Sequence, residues 1–99
     1  MEPYDVRIVC QSNGPTILRL HHGVIEVLNS RHGQQARLHV DLVRTDMWGP
    51  DKKGRCGLQF IPIGGTQNDG TGSNVLEDQL PLLHQFAAAV DAARTAPPA

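Results

Sequence analysis

This sequence has little of what marks several common classes of protein. Only 19% of its 99 residues are charged, and the formal net charge is −1. Bulk positive charge therefore does not attract the chain to nucleic acid, and we expect no nucleic-acid partner. No apolar run approaches the roughly 20 residues that cross a bilayer as a helix, so we expect no transmembrane segment.

Cysteine is scarce, and the chain shows no targeting pattern. Cys10 and Cys56 lie far apart in two different apolar runs, which predicts buried thiols more than a disulfide framework. The first residues, Met-Glu-Pro-Tyr-Asp, lack the basic start and apolar stretch of a signal peptide. We therefore expect a soluble, cytoplasmic protein.

Catalytic and metal-binding patterns are also missing, although histidine is frequent. The five histidines are His21, His22, His32, His39 and His84. Adjacent strand residues point to opposite faces, and no cysteine or carboxylate is placed to complete a ligand set. The serines at 12, 30 and 73 lie in turn-like segments and in no nucleophile-elbow motif. We expect no metal, no cofactor and no enzymatic activity.

The clearest positive feature is the order of hydrophobic periodicities. Alternating apolar segments typical of strands occupy residues 6–11, 16–21, 24–29, 36–43 and 55–63, and a helical stripe follows over 78–94. This order predicts an α+β fold in which an antiparallel sheet is capped by one C-terminal helix. One domain over residues 1–95 and a frayed tail over 96–99 fit the length.

The segments between these runs are interpreted from their composition. A hairpin loop is predicted over residues 46–54. The Gly-rich stretch 64–74 lacks the Gly-Lys-Ser/Thr ending of a phosphate loop and is interpreted as a flexible linker. In the strand over residues 36–43, Ala36, Leu38, Val40 and Leu42 are expected to face inward. In the helix, Leu80, Leu83, Ala87 and Val90 form the buried stripe, with Arg94 on or near the opposite side.

Three segments followed by an amphipathic helix carry a family resemblance. They are Gly23-Val24-Ile25-Glu26-Val27, Leu38-His39-Val40-Asp41-Leu42-Val43 and Gly57-Leu58-Gln59-Phe60. Together they resemble the small bacterial pleckstrin-homology-like domains. The resemblance implies a bent, partly open β-barrel closed at one end by the helix, with residues 73–76 as a stub of the seventh strand. It also implies a binding module for lipids, peptides or other proteins.

Two classes of function remain open. The first is a noncatalytic protein-interaction module, acting as an adaptor or scaffold or associating with itself. The second is a small-ligand or lipid-binding domain; a specific phosphoinositide is not expected, because residues 11–15 contain no Lys or Arg. The candidate contact residues are Trp48, Met47, Ile17, Arg19 and Leu28. Trp48 is interpreted either as an exposed interface anchor or as a core residue beneath the helix.

Overall fold

The computed structural model describes residues 2–31, 33–66, 68 and 70–95. These residues form seven strands, β1 (Tyr4–Cys10), β2 (Gly14–His21), β3 (Val24–Asn29), β4 (Gly33–His39), β5 (Val43–Trp48), β6 (Arg55–Pro62) and β7 (Thr71–Leu76), and one α-helix, α1 (Leu80–Ala93). Short 3₁₀ turns at Val40–Leu42 and Glu77–Gln79 precede β5 and α1. The tail over 96–99 and His32 lie outside the described residues.

The strands form two antiparallel sheets. One has four strands in the order β1-β2-β3-β4, and the other has three in the order β5-β6-β7. The two sheets approach each other where the Gln11 amide donates to the Asn74 carbonyl at 2.9 Å. Across the described residues the sheets are not closed into a barrel. The predicted α+β fold with an antiparallel sheet and a C-terminal helix is confirmed.

The core lies between the two sheets and α1. Leu83, Phe86 and Val90 of the helix are fully buried, which confirms the predicted position of Leu83 and Val90 in the stripe. The Phe86 ring stacks on Tyr4 and meets Phe60 edge to face, with centroids 6.1 Å away in both cases. Burying a large apolar side chain stabilises the fold by about 1.5–3 kcal/mol, so these three residues contribute much of the stability with which the helix packs on the sheets.

No described helix has the length and apolar character needed to cross a membrane.

The single strand predicted over residues 36–43 is wrong, because the chain turns a corner within it. Val40 is fully buried, but Leu42 is 67% exposed and does not face inward. The 3₁₀ turn at Val40–Leu42 carries the chain from the first sheet to the second. The period of two therefore ends at Val40, and the next buried residue is Val43 rather than Leu42.

The predicted position of Arg94 on the solvent side is also wrong. Its side chain is only 5% exposed, and its guanidinium donates to the carbonyls of Val40 and Val43. The next residue, Thr95, donates its backbone amide to Asp41 at 3.0 Å. The end of α1 is thus tied to the corner between the two sheets.

Two predicted loops are shorter than expected. β5 continues to Trp48, so the first loop covers only residues 49–54. β7 begins at Thr71 and takes the last part of the predicted linker, including Ser73, which is 6% exposed. The Gly-rich stretch becomes a strand from Thr71 onward, where residues 71–76 pair with β6.

The outer edges of the four-stranded sheet differ. At β1, the Gln79 side-chain amide accepts a hydrogen bond from the Val9 backbone amide at 2.7 Å and donates one to the Val9 carbonyl at 3.0 Å. At β4, no backbone hydrogen bond within the described residues joins the outer edge to another strand. The β1 edge is therefore capped by a side chain at Val9, and the β4 edge is open along its described residues.

Candidate binding surfaces

Four apolar side chains meet on the outer face of the four-stranded sheet. Register places Ile17 opposite Leu28, and Val9 opposite Pro15. Val9 is 57% exposed, while Ile17 and Leu28 are half-buried. Alternation puts these residues on the face opposite the core, where they form one surface, here called the outer patch: Val9, Pro15, Ile17 and Leu28.

The outer patch lines a shallow groove of about 510 Å³. The lining also includes the polar residues Arg7 and Gln34. The predicted contact residues Ile17 and Leu28 are thus brought together by strand pairing.

One ion pair, between Arg19 and Asp5, lies on the same face as the outer patch. Arg19 donates from Nε to Asp5 Oδ1 at 2.8 Å and from Nη2 to Asp5 Oδ2 at 3.0 Å. These hydrogen bonds, chiefly, lower the pKa of the Asp5 carboxyl below its usual value. Glu26, opposite Arg19, accepts from the Gln34 side chain at 2.8 Å. The candidate residue Arg19 is therefore held beside the outer patch by Asp5.

Trp48 and Met47 lie in different environments. Met47 packs against the core. Trp48 is half-buried and lies opposite Gly57 in the β5–β6 pair. A Cβ atom at Gly57 would lie 2.5 Å from Trp48 Nε1 and 2.7 Å from Cε2. The indole therefore rests on the backbone of a strand position that has no side chain.

Trp48 borders a cleft of about 180 Å³ between the two sheets, here called the Trp48 cleft. Its other lining residues are Cys10, Ser12, Asn13, Thr16, Val27, Gln35, Gln59, Gly72, Ser73 and Asn74. The Asn74 Oδ1 atom is shielded from solvent and accepts no hydrogen bond from the described residues. A buried acceptor of this kind calls for a donor.

The described histidines form no metal site. The rings of His21 and His22 lie 4.0 Å apart at the β2–β3 turn, where His22 has a φ of 52°. His39, on the neighbouring strand, accepts from the Asp41 amide at 3.2 Å. Within the described ranges, no three side chains of His, Cys, Asp or Glu are arranged to hold a metal ion. His84 is exposed on α1.

The basic residues of the β5–β6 loop are exposed, and one of them forms an ion pair. Arg55 pairs with Asp51 at 2.8 Å, next to the exposed Lys52 and Lys53.

Cys10 and Cys56 are both buried and free. Burial, aided by the nearby carboxylates of Glu77, Asp78 and Asp51, raises the pKa of the Cys56 thiol. A buried thiol with a raised pKa is a poor nucleophile.

Compared with known proteins, the chain matches no protein-family model, no curated protein and no solved structure. The candidate surfaces therefore rest on geometry and chemistry alone.

Several residues of these surfaces were not singled out from the sequence. The sequence places Gly57 in a strand, and Asn74 both in the Gly-rich stretch and in the stub of the seventh strand that the resemblance implies. The pairing of Trp48 with Gly57 needed the β5–β6 register, and the burial of Asn74 Oδ1 needed β7. Neither depends on a local sequence signal.

Proposed function

We propose that this protein is a noncatalytic protein-interaction module of the pleckstrin-homology-like type, and that it associates with a second copy of itself through the outer patch. The element order supports the family part of the proposal. Four strands, then three strands, then a terminal helix follow the order that the resemblance implies, with β7 at the place of the expected seventh strand.

The observation that carries the proposal is the gathering of Val9, Pro15, Ile17 and Leu28 on one solvent-facing surface. Apolar residues that meet in a groove mark interaction sites far more often than scattered ones do. Water leaves such a surface favourably when a second apolar surface covers it.

The charge of the protein favours a second copy of this chain as the partner that covers the outer patch. The formal net charge of −1 gives little long-range repulsion between two copies. Beside the outer patch, Arg19 is already paired with Asp5, so an identical face can approach without bringing an unpaired Arg19 against its counterpart.

The size of the face predicts weak association. Four strands of six to eight residues present a flat face of roughly 400 Å². Stable interfaces bury about 800 Å² per partner, so this face alone supports a transient dimer.

Light scattering and sedimentation over a wide range of protein concentration test the proposal. We expect the average mass of the wild-type protein to rise with concentration. Leu28→Glu should keep the protein monomeric, because it places an unpaired carboxylate in the contact. Leu42→Glu is the matched control, since Leu42 is exposed at the corner between the sheets, and it should associate like the wild type.

Two results would contradict the proposal. One is a wild-type mass that stays monomeric at every concentration. The other is association that Leu28→Glu leaves unchanged.

A further inference from the structure

A row of charged side chains crosses the four-stranded sheet on the face that carries the outer patch. Strand pairing places Arg19 opposite both Asp5 and Glu26, and it places Glu26 opposite Arg37. The neighbouring residues along the four strands pack in the core: Val6, Leu18, Ile25 and Leu38. The charged residues therefore face outward. They form what is here called the charged row, which is negative on β1 and β3 and positive on β2 and β4.

A second row lies next to the charged row on the same face. Register places Ile17 opposite Arg7 and Leu28, and Leu28 opposite Gln34. Gln34 shares this face, because its side chain donates to Glu26 at 2.8 Å. The two apolar residues thus lie on the central strands β2 and β3, and the polar residues lie on the outer strands.

An alternating row of four charges is complementary to itself under one twofold rotation. When the axis lies parallel to the strands and between β2 and β3, β1 of one copy covers β4 of the other, and β2 covers β3. Asp5 then faces Arg37 of the second copy, and Arg19 faces Glu26. Each residue of the charged row therefore meets the opposite charge across the contact.

The same rotation also brings the apolar residues together. Ile17 faces Leu28 of the second copy, and Arg7 faces the uncharged Gln34. A twofold axis at right angles to the strands and along this second row would instead set Arg7 against Arg7 of the second copy. Like charges that meet in an interface cost free energy, so the charge pattern favours the axis parallel to the strands.

We propose that two copies of this chain dock face to face about the twofold axis parallel to their strands, with ion pairs between the two charged rows beside the packed Ile17 and Leu28 side chains. This inference rests on the proposed self-association and assigns its orientation and its polar recognition. Stacked sheets lie about 10 Å apart, a gap that an arginine and a carboxylate from opposite sides can span. Their strands run within about 30° of each other, as this orientation requires.

Charge reversal at the two ends of the charged row tests this orientation. Arg37→Glu should raise the dissociation constant at least about tenfold, because two like-charge contacts replace two ion pairs. Asp5→Arg should weaken association for the same reason. An equimolar mixture of these two variants should associate as tightly as the wild type, since both end contacts then join opposite charges. Sedimentation measures the three dissociation constants.

Lys52→Glu is the matched control. Lys52 is exposed on the β5–β6 loop, and its reversal changes the net charge by the same amount as Arg37→Glu. Alone, Lys52→Glu should associate like the wild type. Mixed with Asp5→Arg, it should form a weaker complex than Arg37→Glu does, because one end contact still joins two arginines. Asp5 and Arg37 are exposed, so the melting temperatures of all three variants should stay near that of the wild type.

The proposal is overturned if either single reversal in the charged row associates like the wild type. It is also overturned if the mixture of Asp5→Arg and Arg37→Glu is no tighter than the mixture of Asp5→Arg and Lys52→Glu. A wild-type protein that stays monomeric overturns the self-association proposal together with this one. Association that Leu28→Glu abolishes and charge reversal leaves unchanged overturns only the orientation.

Discussion

At the scale of single residues, Gly57 has less room for a side chain than Gly72, the other glycine in the strands of the second sheet. It is buried, and its missing Cβ leaves room for both Trp48 and the neighbouring strand. A Cβ there would lie 2.1 Å from the Ser73 carbonyl oxygen, a backbone atom that cannot move without disturbing β7. The orientation of Trp48 therefore depends on this glycine.

We predict that Gly57→Ala destabilises the protein by about 2–4 kcal/mol, because the added methyl overpacks a backbone contact. Urea unfolding measures the loss, and the fluorescence spectrum of folded protein should show a displaced Trp48. Gly14→Ala is the control: Gly14 has a φ of +74° and open space around it, so the change should cost about 1 kcal/mol from backbone strain alone. Equal stability of Gly57→Ala and the wild type would contradict this packing.

At the scale of secondary-structure elements, α1 is joined to both sheets by its buried stripe and by Arg94. Leu83 lies at the centre of that stripe and is fully buried. Its replacement tests whether the helix is part of the fold's cooperative unit.

Leu83→Ala should lower the free energy of unfolding by about 2–5 kcal/mol, the cost of a cavity in a packed core. Leu83→Asp should unfold the protein, because it buries a carboxylate without a partner. Ala88→Asp on the exposed side of the same helix is the control and should change stability by less than about 0.5 kcal/mol. A Leu83→Asp protein that melts at the wild-type temperature would refute the packing of α1 on the sheets.

Sequence patterns correctly predict those strands and helices whose periodicity is visible within a short stretch of the chain. β3 has the predicted bounds, and the helix stripe matches because its periodicity and its packing agree. The corner at Val40–Leu42 was not predictable, since apolar alternation runs through it without Gly or Pro. Contacts from Arg94 and Thr95, more than 50 positions along the chain, hold that turn.

The candidate surfaces also combine features that a local sequence pattern predicts with features that depend on tertiary contacts. The sequence offers Ile17 and Leu28 as candidate contact residues, but only the register places them opposite each other. Trp48 was singled out as the only tryptophan, whereas its cleft depends on strands from both sheets. Tertiary contacts of this kind leave no pattern in a short stretch of sequence.

At the scale of the whole molecule, two carboxylates make folding stability sensitive to acid. The pKa of Asp51 is lowered chiefly by the hydrogen bond from the Arg55 backbone amide, and that of Asp5 chiefly by the Arg19 side chain. Both ordinary values are 3.8. A carboxyl with a lowered pKa in the folded state binds protons less readily there than in the unfolded state.

The stability that these two groups add is therefore fully present above their ordinary pKa and is lost as the pH falls through the lower, folded values. We expect the melting temperature to decline from about pH 4 downward. Asp5→Asn and Asp51→Asn together should make that decline shallower. Because both carboxylates are exposed, added salt should also weaken the effect. A decline of the same slope in the double variant would show that other groups cause the acid sensitivity.

The two edges of the four-stranded sheet limit what kind of assembly this chain can build. Continuous cross-strand growth needs two available edges per molecule, one to accept the previous copy and one to accept the next. Gln79 occupies the backbone groups of Val9, so a strand added along β1 cannot pair at that residue, whereas no such cap is found along the described residues of β4. Pairing of two β4 edges with each other therefore gives a closed assembly of two copies related by a twofold axis.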